Sequence, residues 1–559
     1  MTTLFDPPPP SLFDQAIIHH RAGQWHEARH LYQTLLSRDR HHLPTLVHLG
    51  LLHQQQEEMN AAIACFRQAL GQSRDSDLQS RLTIPPEQPH QTANLIGIAC
   101  HQSGRLQEAL DQYTLALRLN PDYPSALSNR GFAYIALGRP DEAAQDFNEA
   151  LRQQPDFPEA HANLGMVFHD QGRHAEAQRC FRNALQRNPA FTQAWYNLGL
   201  ALQAQGRFDE ALEALRQARS LDPEDAEAAL ALSLLLLLKG DYRTAWPLHE
   251  WRWNTEGFHH HGHPQPLWDG RAFTGKTLLL HCEQGFGDNI QFIRYIPQAR
   301  QRGTTVIVQC PLPLASLFRT VPDIGPVIAS GQPLPPCDLQ APLASLPLIF
   351  DTTLETIPRR IPYLAADPHQ VSISASLLPP DDKAHHHPNG FLPPLNVGLA
   401  WRGNPKHRND RNRSIDPALL ATLCPKVPCL FIGLQKDKPP EDLLHFTHHP
   451  NFIDLSPWLA DFAATAAIMS HLDLVIGVDS AVIHLAGALG HPAWVLLPKV
   501  PDWRWGIEGD QTPWYPTLRL FRQSAIADWN PVLRQVAKRL HILSSTRHRR
   551  LEPGIAPDG

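Results

Sequence analysis

Apolar residues along the first 245 positions recur at helical spacing, and one arrangement of residue types returns every 34 residues. Glycines 97, 131, 165 and 199 form one series, and Ala109, Ala143, Ala177, Ala211 and Ala245 a second. Pro121, Pro155, Pro189 and Pro223 form a third, and turn glycines 104, 138, 172, 206 and 240 a fourth. Four series with one period and fixed offsets define a unit of two antiparallel helices. Small residues such as Gly131, Ala143 and Ala150 let the paired backbones approach. Large ones such as Tyr134 and Phe147 fill the space between units, and Pro155 stops the second helix. One hairpin cannot bury its apolar face, so the units must stack into an array with a groove. Units are predicted to start near 9, 43, 90, 124, 158, 192 and 226. Ala28 and Ala62 carry the frame upstream. The spacing of 47 from Ala62 to Ala109 puts 13 extra residues in the polar stretch 71–89, read as a loop. The last unit has Ser233 for glycine and His249 for an aromatic, which predicts a cap that docks on the C-terminal half of the chain.

Near residue 246 the helical period stops. Of 52 prolines, 37 lie from 247 onward. Short apolar runs bounded by Gly, Pro and Asp now alternate with helix-length segments, the mark of an open parallel sheet. Strands are expected at 277–282, 305–310, 396–401, 428–434, 473–477 and 493–497, and helices at 288–301, 461–470 and 481–489. The pattern divides the chain into a disordered N-terminus (1–8), a helical array (9–245), a connector (246–274) and a first α/β half (275–365). A Pro-rich linker (366–394), a second α/β half (395–543) and a disordered tail (544–559) complete it. The two halves predict a cleft, with ligands at the carboxyl ends of strands.

Charge narrows the function classes. Across 559 residues, 49 Lys and Arg face 55 Asp and Glu, a net charge of −6, so no global basic field exists to hold nucleic acid. Thirteen Trp and 22 Phe argue against general disorder. The eight cysteines form no C-x-x-C pair and read as buried thiols rather than a disulfide framework. The opening MTTLFDPPPP lacks the basic and apolar regions of a signal peptide, and the longest apolar run, 229–238, is too short to span a bilayer. A soluble, cytoplasmic protein is expected.

The candidate chemistry lies at strand ends. In Glu283–Phe292, Gly285 and Gly287 allow a tight turn into a helix. Asp288, in its first turn, reads either as a cap or as a carboxylate able to accept a proton. In Gly398–Ile415, Arg402, Lys406, Arg408, Arg411 and Arg413 crowd twelve residues that hold one acid, Asp410, which suits a phosphate or diphosphate. Gln435 and Lys436 follow another strand, where a lysine could neutralise a leaving phosphate. In Gly477–Pro492, Asp479 and Ser480 can cap a helix whose free N–H groups suit an anion, with His484 a turn further on. Trp503, Trp505, Trp514 and Tyr515 read as packing anchors that could otherwise stack on a sugar or base. The His clusters at 259–263 and 385–387 lie in linker-like sequence. No H-E-x-x-H occurs, and the acidic Asp75–Asp77 pair is remote from any strand end, so no metal site is expected.

The 34-residue unit resembles the tetratricopeptide repeat. The stretches LLLHCEQGFGDNIQFIRYIP, VGLAWRGNPKHRNDRNRSI, LADFAATAAIMSHLDLVIGVDSAVIHLAGALGHPAWVLLP and PDWRWGIEGDQTPWYPTLRLFRQ make the C-terminal half resemble the family 9 glycosyltransferases, the ADP-heptose heptosyltransferases. More distantly, the layout is similar to the protein O-GlcNAc transferases. The resemblance implies a GT-B fold of two Rossmann-like halves. It implies metal-independent, inverting transfer of a sugar from a nucleotide diphosphate, with no cofactor beyond that donor. It makes Asp288 the general base and places donor phosphate at Asp479, Ser480 and His484, beside Gly285 and Gly287. Asn404, Lys406, Arg411, Gln435 and Lys436 complete the implied nucleotide-sugar site. The first half is short for a lipid-sugar acceptor surface, which points to a protein or peptide acceptor in the repeat groove. The rival reading is a non-catalytic scaffold with a degenerate or nucleotide-sensing GT-B domain.

Overall fold

The computed structural model describes residues 11–72, 89–256, 258, 262–379, 394–407 and 409–549. The expected N-terminal tail, nearly all of the 71–89 loop, most of the 259–263 cluster, His385–His387, Arg408 and the tail beyond 549 lie outside the described residues. The chain forms two compact units, Met1–Leu221 and Asp222–Gly559.

The first unit is a run of helical hairpins, from Leu12–Arg21 with Trp25–Arg38 to Thr192–Ala204 with Phe208–Leu221. The repeating glycine has a steric reason. A Cβ on Gly131 would stand 2.8 Å from the Phe147 ring, and one on Gly165 would stand 2.6 Å from Phe181. Each ring therefore lies on the glycine of its own hairpin. Phe147 also joins Leu164 and Val167 of the next hairpin, so it fills the space between units as expected while sitting on the glycine of its own. The turn glycines 104, 138, 172 and 206 all have φ between +70° and +76°, where a Cβ is strained. Glu57 takes the equivalent turn at φ +60° without that relief.

The second unit begins with the final hairpin, Ala226–Leu238 and Tyr242–His249. The helical array does not end as a separate block at 245, because this hairpin is built into the α/β unit. Ser233, at the glycine position, is fully buried and donates its hydroxyl to the Ala245 carbonyl at 3.0 Å. Trp246 Nε1 donates to the Thr352 carbonyl at 2.9 Å, and Trp514 Nε1 donates to Tyr242 Oη at 2.8 Å. Arg252, with no exposed surface, pairs with Glu283 at 2.8 Å and Glu250 at 2.6 Å and donates to Ser345 Oγ at 2.7 Å. The connector is thereby fixed to the end of the first strand.

Among the described residues the α/β region has ten strands: β1 (Phe273–His281), β2 (Gly303–Cys310), β3 (Val327–Ala329), β4 (Leu339–Pro342), β5 (Leu395–Ala400), β6 (Cys429–Gly433), β7 (Phe452–Asp454), β8 (Leu474–Val478), β9 (Ala493–Leu497) and β10 (Leu518–Arg522). They form a four-stranded sheet ordered β3-β2-β1-β4 and a six-stranded sheet ordered β10-β9-β8-β5-β6-β7. Every pairing is parallel. Val397, Leu399, Phe431, Ile476 and Leu496 bury one face of the larger sheet against Trp529 and against Val532 and Val536 of the Asn530–Arg549 helix that follows it.

Three expectations are corrected. The helix expected over 288–301 is broken into Phe286–Phe292, a 3-10 turn and Ile296–Gln301. Pro297 has no N–H to continue the first segment and fits only as an early residue of the next. The segment expected as a Pro-rich linker begins with a helix, Pro368–Ser374, capped by Asp367, which accepts from the Gln370 amide at 2.9 Å. The C-terminal helix runs to Arg549, so residues 544–549 are not a disordered tail.

Candidate functional site

β1 ends at His281, and the chain turns through Gln284, at φ +60°, into the Phe286–Phe292 helix. Asn289 pins this turn. Its Oδ1 accepts from the Glu283 amide at 3.2 Å and its Nδ2 donates to the Gly285 carbonyl at 2.9 Å. Asp288 Oδ2 accepts from the Gly285 amide at 2.9 Å, so the carboxylate does cap the helix. Its other oxygen, Oδ1, accepts from Arg504 Nη2.

β8 leads into Asp479, Ser480 and the Ala481–Ala488 helix. Neither residue caps it: Ser480 occupies the N-cap position without a side-chain capping bond, and its shielded Oγ has no hydrogen-bond partner. His484 is buried. Its Nδ1 lies 2.9 Å from Tyr515 Oη, and its Nε2 lies 3.8 Å from Asp479 Oδ1. Burial, then the charges of Arg504, Arg294 and Arg413, hold the imidazole well below its ordinary pKa, so it is neutral. With the proton on Nε2, it can accept from the Tyr515 hydroxyl and turn a donor toward Asp479. Burial first, then Asp502, pushes Asp479 up to about 6.

The two turns meet. A Cβ on Gly287 would stand 2.7 Å from His484 Cδ2, so only a residue without a side chain lets the first helix start lie against this ring. The structure thus brings Gly285, Gly287, Asp288, Asp479, Ser480 and His484 together, although they belong to different sheets.

Arg504 occupies the centre, and sequence reasoning missed it. It donates from Nη1 to Asp502 at 2.9 Å, from Nη2 to Asp288 and from Nε to Gln291, while its guanidinium stacks on Trp503 at 4.4 Å. Arg294 was missed as well. It is buried within 5.3 Å of the ring centres of Tyr363, Trp514 and Tyr515, and donates to the Trp514 carbonyl at 2.9 Å. Trp503, Trp505, Trp514 and Tyr515 are all buried, consistent with anchors.

The basic loop is less uniform than its composition suggests. Arg402 is held by Asp442 through two hydrogen bonds, at 2.7 and 2.8 Å. Arg413 pairs with Asp410 at 3.1 Å and turns its charge toward Asp479 and His484. Asn404, Lys406 and Arg411, the expected phosphate contacts, are exposed. His407, also unforeseen, still reaches solvent. Partial desolvation and then Arg413 lower its pKa, against the charges of Asp502 and Asp288. Gln435 acts as a strut: its Oε1 accepts from the Trp401 and Arg402 amides at 3.0 and 2.9 Å. Lys436 is exposed and donates to the Ala460 carbonyl at 2.7 Å. Among the described residues, no group of three His, Cys, Asp or Glu is placed to hold a metal, all eight cysteines are free thiols, and no helix is long and apolar enough to cross a membrane.

Comparison with known proteins adds two families. Residues 13–79, 129–177, 168–235 and 202–245 match tetratricopeptide repeat families, and 97–138 match a TPR repeat family. Residues 438–506 match glycosyltransferase family 9 (heptosyltransferase), a span that contains Asp479, Ser480, His484 and Arg504. Protein FlbA of Caulobacter vibrioides (strain ATCC 19089 / CIP 103742 / CB 15) is 27% identical over 303 residues, 50% of this chain and 48% of that protein. The chain therefore spans about half the length of this relative. Among solved structures, YrrB, described as a TPR protein with an unusual peptide-binding site, is 20% identical over 36% of this chain and 96% of its own, with TM-score 0.28. The Cut9-Hcn1 hetero-tetramer of the APC/C is 20% identical over 44% of this chain and 47% of its own, with TM-score 0.37. The repeat matches place tetratricopeptide repeats across the N-terminal region, followed by a parallel-sheet α/β region in which residues 438–506 match the family 9 model.

Proposed function

We propose that this chain is a glycosyltransferase of GT-B type that moves a sugar from a nucleotide diphosphate to an acceptor hydroxyl, with inversion and without a divalent ion. One observation carries the reading. Asp288, from the turn after β1, lies beside the start of the Ala481–Ala488 helix, where Ser480 Oγ has no partner and His484 is a neutral imidazole. A carboxylate faces an anion-accepting helix start across the junction of two parallel sheets.

In this mechanism Asp288 takes the acceptor's proton as the acceptor oxygen attacks the anomeric carbon from the face opposite the diphosphate. The bond from that carbon to the phosphate oxygen breaks, and the diphosphate leaves with the electron pair. Amides of the helix start, the Ser480 hydroxyl, the His484 N–H and the loop cations Arg413, Lys406 and Arg411 offset the charge that develops. Lys436 adds a further cation, and Gln435 and Asn404 shape the loops around the nucleotide. The tetratricopeptide repeats favour a protein or peptide acceptor, and cytoplasmic action on such a partner fits the free thiols.

The test incubates the full chain with UDP-, ADP-, GDP- and CDP-linked sugars and follows sugar release and transfer to co-purifying protein by mass spectrometry. Turnover with one donor that survives EDTA and disappears in Asp288→Asn is the expected result. No turnover and no nucleotide binding across the set would leave the scaffold reading in its place.

A further inference from the structure

Both oxygens of the candidate base are engaged: Oδ2 by the Gly285 amide and Oδ1 by Arg504. A carboxylate in this condition has little capacity to accept a proton from an alcohol. Arg504 is in turn held from its other edges by Asp502 and Gln291, so it keeps its place if Asp288 lets go. The Arg504 side chain is only 9% exposed, so water screens the pair weakly. The charges around the pair include Asp288, Asp479 and Asp502 against Arg504, Arg413 and Arg294. An arriving diphosphate is repelled by the carboxylates and attracted by guanidinium forks shaped for phosphate.

We propose that the Arg504–Asp288 ion pair is a latch that the donor opens: the diphosphate competes with Asp288 for the guanidinium, and the released carboxylate then takes the acceptor's proton. The proposal rests on the donor reading above and adds to it an order of events, in which the base becomes competent only with donor in place. The acceptor O–H bond breaks toward Asp288 Oδ1, the new glycosidic bond forms, and the leaving diphosphate takes the electron pair beside Arg504. Arg504 is a positioning residue for Asp288 and a contact for the leaving group.

The test is calorimetric binding of inorganic pyrophosphate to the full chain and its variants. A latch makes Asp288 a competitor of the anion, so Asp288→Asn is expected to tighten pyrophosphate binding about tenfold and Arg504→Gln to weaken it about tenfold or more. In the Arg504→Gln background the gain from Asp288→Asn should fall below about twofold, because no guanidinium remains to release. A gain of equal size in both backgrounds would reduce the effect to the general field of one carboxylate and overturn the latch. So would an Asp288→Asn protein that binds no tighter than wild type. Should circular dichroism show Arg504→Gln unfolded, Arg504→Lys keeps the charge and loses the fork, and the Asp288→Asn gain must then shrink at least threefold for the proposal to stand. Pyrophosphate binding without this coupling refutes the latch alone. No binding by any variant refutes the donor site itself.

Discussion

Gly287 and His484 are in contact across the two sheets, and the contact leaves no room for a methyl group: a Cβ at 287 would stand 2.7 Å from Cδ2 of the imidazole. The ring cannot retreat freely, because Tyr515 bonds to its other side and Trp505 packs on it at 5.4 Å. Gly287→Ala is therefore expected to cost about 1–3 kcal/mol of stability by overpacking and to lower turnover more than Gly285→Ala, whose Cβ would meet only Asp288 Oδ2 at 3.0 Å. Thermal melts and donor turnover of the two variants check this order.

Asp479 gives a pH signature. Its folded pKa, about 6, lies above the ordinary carboxylate value, so between those two values the folded protein binds more protons than the unfolded chain. Its contribution to stability is present at about pH 4 and is lost as pH rises through about 6. Asp479→Asn should remove that slope, on the order of 1–3 kcal/mol between the two pH values. Urea titrations of both proteins at pH 4, 5, 6 and 7 measure it. A difference that grew in the opposite direction would refute the assignment.

Ser480 separates a structural from a binding role. Replacing a serine that caps a helix costs about 1 kcal/mol, but the Ser480 hydroxyl makes no capping bond. Ser480→Ala should leave the unfolding midpoint nearly unchanged and weaken pyrophosphate binding several-fold. Equal affinity in calorimetry would remove this hydroxyl from the site.

The buried Arg252–Glu283 pair supports the turn that carries Asp288. Arg252→Met would leave Glu283, already raised in pKa by burial, without its guanidinium. A loss of about 3–5 kcal/mol is expected, with much of it recovered in the Arg252→Met, Glu283→Gln double variant. Denaturant midpoints of the four proteins form the cycle that decides it.

The last hairpin belongs with the second unit by its bonds from Trp246 and to Tyr242. A fragment starting at 222 should be soluble and melt in one cooperative transition. A fragment starting at 250 would expose the aromatic surface of Trp503 and Trp514 and should aggregate. Light scattering and a thermal melt distinguish the two outcomes.

The repeats were legible because every hairpin poses the same steric problem, a ring seated on a glycine, and solves it with the same residues at one period. The long strands were legible as apolar runs. β3, β4, β7 and β10 were not: the first three have only three or four residues, too few to show a period, and β10 is interrupted by Arg519. Asp288, Ser480 and His484 could be picked out from turns after strands, but their meeting through Gly287 depends on tertiary packing. Arg504 was missed because its partner Asp288 lies 216 residues away. A signal did exist: an arginine flanked directly by Trp503 and Trp505, read as packing anchors, needs an acceptor where those rings are buried. Composition marked five loop cations and the resemblance singled out Lys406 and Arg411 among them, whereas folding turns Arg413 inward beside Asp410, which the pattern of charges alone does not decide.

The hydrogen bond between Trp514 and Tyr242 has a practical corollary for protein engineers. Chimeras that exchange repeat arrays between such proteins are best spliced ahead of Asp222. A cut after His249, at the end of the last hairpin, would graft a foreign tyrosine-tryptophan partner onto a surface shaped for the native one.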